Sequence, residues 1–141
     1  MTLSETSTIA QVHHLLAEKG YEVTDLGADV LRVRHVENGV TLQVALEGNV
    51  LFLTVALITV AEEQLTSDLM KMMLAADNGV STSSFQLYSA TEGKIAITLN
   101  NFCTLQNMGE EDKDDILSSA GYLLADLVAA RTLLSGTLAG V

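Results

Sequence analysis

Proline is absent from this chain, and cysteine occurs once, at Cys103. No proline-rich or low-complexity stretch divides the 141 residues, and no internal repeat is visible. The length is that of one domain, so the sequence reads as a single α+β domain over 1–141, with a loose tail from about 136. A lone cysteine excludes an intrachain disulfide and fits a reducing cytoplasm. None is needed, because a domain of roughly 150 residues buries about 68–70% of its unfolded surface and can build a core without cross-links or metal.

Basic residues are also scarce. Seven Lys and Arg stand against eighteen Asp and Glu, a formal net charge of -11. No basic cluster offsets that field, which disfavours nucleic acid and anionic membrane as targets; the acidity fits either ordinary solubility or a basic or polar peptide partner. Met1 to Ala10 has neither a basic stretch nor an apolar stretch of the kind a signal peptide needs. The longest apolar run, Val50 to Ala61, is too short to cross a bilayer as a helix, so no integral membrane segment is expected. Apolar residues, by contrast, are plentiful: they make up 48% of the chain, and the mean hydropathy is +0.33. That is high for a soluble monomer and points to apolar surface buried against a partner.

The hydrophobic rhythm switches between helix and strand periods at successive turn signals. A first helix is predicted over Thr8 to Lys19, with Ile9, Val12, His13 and Leu16 on one face, Ser7 or Thr6 as its cap and Gly20 as its stop. Three strands follow. The first covers Val30 to Val36, with a short lead-in at Tyr21 to Thr24. Val40, Leu42, Val44 and Leu46 form the apolar face of the second, after a tight turn at Asn38-Gly39. The third, Val50 to Ile58, is apolar on both faces and is placed centrally, covered on both sides. Thr59 to Glu62 reads as a capping box for a second helix, with Leu65, Leu69, Met72, Met73 and Ala76 on its inner face and Asn78-Gly79 as its stop. A second antiparallel hairpin pairs Phe85 and Leu87 with Ile95, Ile97 and Leu99 around Glu92-Gly93. The last helix runs from Gly109 or Glu110 to about Leu134. Ile116, Ala120, Leu123, Leu127, Ala130 and Leu134 form its core stripe, and acids crowd its start, where the helix dipole favours them.

No motif for catalysis, metal or nucleotide stands in the chain, and no cofactor is implied. His13 and His14 are adjacent, about 100° apart on a helix, whereas two histidines sharing a metal sit three or four apart. His13 is expected to pack and His14 to be solvated. His35 shares a strand face with Leu31 and Val33, and a metal site with Cys103 would need further ligands. Cys103, in Asn101-Phe102-Cys103-Thr104, has no nucleophile motif around it and reads as a small buried hydrophobe. The Glu110 to Asp115 run lacks the ligand alternation and glycine of a calcium loop. Ser81-Thr82-Ser83-Ser84 is hydroxyl-rich enough to take a phosphate, but reads better as a polar loop before a strand. No glycines form a phosphate-binding loop.

The two later helices carry more apolar surface than one sheet contact uses. Met70 and Leu74 lie off the inner face of the second. Leu117, Gly121, Leu124 and Val128 form a second stripe on the third. These six are the candidate contacts for a homodimer or a protein partner, with Gly121 permitting close helix approach.

The order αβββαββα, the small size and the acidity together resemble the type III secretion chaperone-like superfamily, which includes YbjN-like and DUF2170-type bacterial proteins. The segment Leu74-Ala-Ala-Asp-Asn-Gly-Val-Ser-Thr-Ser-Ser-Phe85 is similar to the helix-to-strand passage of the DUF2170 type. The resemblance implies a twisted antiparallel sheet packed against helices, a homodimer, and polypeptide binding without catalysis.

Overall fold

A computed structural model describes residues 8–141. Its elements are α1 (Ile9–Glu18), β1 (Tyr21–Gly27), β2 (Val30–His35), β3 (Thr41–Glu47), β4 (Val50–Ala61), a 3₁₀ turn (Glu62–Gln64), α2 (Ser67–Leu74), β5 (Ser84–Ser89), β6 (Lys94–Thr104) and α3 (Glu110–Ser135). The strands form one antiparallel sheet in the order β1-β2-β3-β4-β6-β5. The α+β class therefore stands, with six strands rather than five. The expected lead-in at Tyr21 to Thr24 is a full strand, paired with β2 from Tyr21↔His35 to Gly27↔Val30.

The chain gathers into two compact units. Of the described residues, the first comprises 8–54 and 101–121, and the second 55–100 and 122–141. In the first, the strand registers place Leu31, Val33, Leu42, Val44, Leu46, Leu51 and Leu53 on one face, and all seven are buried. Val12, Leu15 and Leu16 of α1 are buried too, and α1 packs against β1 and β2. Thr8 itself caps α1. Its side chain accepts from the Gln11 amide, while the Gln11 side chain accepts from the Thr8 amide. The expected caps, Thr6 and Ser7, lie outside the described residues.

In the second unit, Val60, Leu69, Met73, Ile97, Leu134 and Leu138 form a buried cluster, with Leu57, Ile58, Leu65, Phe85 and Val141 packed against it. Leu138 ties down the segment that was expected to be loose, and its amide bonds to the Leu134 carbonyl at 2.7 Å. The capping box at Thr59 does not form. Ile58, Thr59 and Val60 are β-branched and continue β4 to Ala61. Thr66 caps α2 instead, accepting from the Leu69 amide at 3.2 Å. The helix also stops at Leu74, before Asn78-Gly79, because the Asn78 side-chain amide donates to the Met73 carbonyl at 2.6 Å. By length and composition α3 could cross a bilayer. In this fold all six residues of its expected core stripe are buried.

Candidate partner-binding surface

In the second unit the loop after α2 is folded around one carboxylate. Asp126 on α3 accepts from the Ser81 amide and hydroxyl, the Thr82 amide and hydroxyl, and the Ser83 hydroxyl, at 2.9–3.1 Å. Burial alone would raise its pKa, but the amides of Ser81 and Thr82 and the hydroxyls of Ser83 and Thr82 outweigh that and hold it below the usual carboxylate range. The hydroxyl-rich loop considered for phosphate thus already binds an anion, supplied by the chain itself. Gly79 lies in the same passage at φ +87, and a β-carbon there would meet the Ala129 side chain at 3.5 Å. The passage is therefore held close along α3.

Apolar side chains stand outside this framework. On α2, Leu69 and Met73 face inward, which turns Met70 and Leu74 outward, Leu74 at 80% exposure. On α3, Leu123 and Leu127 are buried, so Leu124 is half-buried and Val128 is 66% exposed. Met70 with Leu74, and Leu124 with Val128, are pairs one turn apart, all in the second unit. The other two candidates, Leu117 and Gly121, belong to the first unit, where Leu117 is half-buried and Gly121 is exposed, with nothing within 4 Å of a β-carbon placed on it. β5 is an edge strand in which neither a charge nor proline interrupts Ser-Phe-Gln-Leu-Tyr-Ser, and Leu87 and Tyr88 are exposed.

In the first unit, Asp112 gathers the loop before α3, accepting from the amides of Gln106, Asn107 and Met108 at 2.7–2.9 Å. The acid run at the start of α3 is thus partly a capping device. Cys103 is buried, and burial pushes its thiol pKa up, away from nucleophilic use. His35 stacks edge-on against Tyr21 with ring centroids 5.4 Å apart. His13 is half-buried and His14 exposed beside Glu18. Among the described residues no three His, Cys, Asp or Glu side chains come together as a metal site.

Sequence reasoning missed Asp126, whose only signal is a carboxylate set between core leucines of an apolar helix. It also placed β4 under cover on both sides. The strand does lie inside the sheet, but Phe52 on its outer face is exposed, as is Phe102 on β6.

No protein-family model matches this chain, and no curated protein matches it. Solved structures do. YbjN from E. coli, described as a candidate transcription regulator, superposes with a TM-score of 0.64 at 10% identity, covering 92% of this chain and 93% of its own. SpcU, from the heterodimeric ExoU–SpcU complex of the Pseudomonas aeruginosa type III secretion system, superposes with a TM-score of 0.55 at 16% identity, covering 89% and 99%. The chain has the type III secretion chaperone-like fold.

Proposed function

We infer that this protein is a non-catalytic, cytoplasmic polypeptide-binding protein, a chaperone or adaptor for another chain, working as a homodimer. The observation that carries this reading is the apolar surface left outside the packed second unit, above all Leu74 and Val128. Side chains of that kind gain by being covered, about 25 cal/mol for each Å² of apolar area removed from water. A shared fold with SpcU, which is found in a complex with ExoU, supports the reading. Affinity-tagged protein expressed in its own cells should retain a stoichiometric polypeptide through washing. Recovery of no partner, together with a monodisperse monomer, would sink the idea.

A second reading, a regulatory or stress-response protein of the YbjN or DUF2170 type, is favoured by the larger superposition on YbjN. Neighbouring genes separate the two. A secretion apparatus beside this gene fits the chaperone, and a stress operon fits the regulator.

A further inference from the structure

The chain has only three phenylalanines, and two of them stand on the outer face of the first unit's sheet. The inner face carries Leu31, Val33, Leu42, Val44, Leu51 and Leu53, all buried. Alternation therefore turns Val30, Ala45 and Phe52 outward. On β6, Asn101 donates inward to the Ser119 carbonyl and Cys103 is buried, so Phe102 between them faces out as well. Val30 pairs with Ala45, Ala45 pairs with Phe52, and the Phe52 and Phe102 rings lie 6.3 Å apart. This is a continuous apolar row crossing β2, β3, β4 and β6. Phe52 is 38% exposed and Phe102 64%. Four strands at about 4.8 Å spacing make a row roughly 15 Å long, the length of about five residues of extended chain.

The flanks of the row are charged differently. One register step away lies Arg32, opposite Gln43, and no acidic group pairs with it among the described residues. Arg34, further along, is already paired with Glu22. On the other side Glu47 stands opposite Val50. In a protein of net charge -11, Arg32 is thus a cation with no acidic partner among the described residues, beside an aromatic strip.

Resting on the polypeptide-binding reading, we propose that this outer face docks a short segment of a partner polypeptide that carries aliphatic or aromatic side chains beside an acidic residue. The apolar side chains cover the row from Val30 to Phe102, and the acid pairs with Arg32. Arg32 favours an occupant that brings an acid to this point of the face, and a second copy of the chain here is one outcome of the test below. The partner's acid is selected locally by Arg32, against the long-range charge of the protein.

An array of random decapeptides probed with the full-length protein tests this. Bound sequences should be enriched in an aliphatic or aromatic residue next to Asp or Glu. For the best peptide, followed by fluorescence anisotropy, Phe52→Ser combined with Phe102→Ser should weaken binding at least tenfold. Arg32→Glu, at an exposed position that leaves the core untouched, should exchange the acidic preference for a basic one. No enrichment, enrichment in basic peptides, or affinities unmoved by these variants would overturn the proposal. So would a dimer that dissociates only in the double phenylalanine variant, because the face would then be covered by a second copy. Peptides that bind unchanged to these variants, yet are lost from Leu74→Asp with Val128→Asp, would reject this face while leaving the polypeptide-binding reading intact.

Discussion

Asp126 is 4% exposed and takes five hydrogen bonds from three consecutive residues. Its carboxylate is held below its ordinary pKa, so it contributes stability above the unfolded value of about 3.9 and loses that contribution as pH falls through the folded value. Asp126→Asn should therefore destabilise the protein by about 1–3 kcal/mol at pH 7. The gap between variant and parent should narrow below about pH 4, as urea titrations at pH 7 and pH 3 will show. A second residue-scale feature is the β1–β2 turn. Gly27 pairs with Val30, leaving Ala28 and Asp29 as a two-residue loop with φ of 54° and 62°. Such a turn favours Asn-Gly, because side chains are disfavoured in the left-handed region. Replacing both, Ala28→Asn with Asp29→Gly, should stabilise by about 1 kcal/mol, read as a thermal midpoint about 3 °C higher.

That same turn explains why β1 was only half legible. Ala28-Asp29 carries no hairpin signature, so the sequence hides a full strand behind what looks like a short lead-in. Where turn chemistry matches the backbone, as at Gly48-Asn49 and Gly93, the hairpins were legible from sequence. The α3 core stripe was equally plain, because a 26-residue helix repeats its period many times over. The start of α2 was lost because Thr59-x-x-Glu62 and Thr66-x-x-Leu69 compete as caps, and β-branched residues before the first extend the strand. Of the candidate surface, Met70, Leu74 and Val128 were readable as residues off the buried stripe. Phe52 was not, because an apolar residue on an interior strand gives no sign that its face lacks a covering layer. The two faces of α2 should respond differently to truncation. Leu69→Ala, in the fully buried cluster, should cost about 2–5 kcal/mol. Leu74→Ala, one turn and a residue further on, should change stability by no more than about 0.5 kcal/mol in a monomer. Denaturant melts of the two variants side by side will show whether the face division is as sharp as the burial.

For the whole molecule, acidity and apolar surface pull in opposite directions. Covering Met70, Leu74 and Val128 in a homodimer gains hydrophobic free energy, while joining two chains of net charge -11 costs electrostatic work. The range of that repulsion falls from about 30 Å at 0.01 M salt to about 10 Å at 0.1 M and about 3 Å at 1 M. Apolar burial does not weaken across that range. Dimerisation should therefore tighten with salt, the reverse of an interface built on surface ion pairs. Light scattering on a micromolar sample should give twice the 15.0 kDa chain mass, with any monomer at 0.05 M salt disappearing by 0.5 M. Leu74→Asp with Val128→Asp should return the protein to monomer without changing its circular dichroism, because both side chains are outside the core. A parent protein that stays monomeric at every salt concentration would leave those residues for a different polypeptide. A dimer indifferent to the two aspartates would place the contact elsewhere, with the uncharged edge of β5 the next surface to alter.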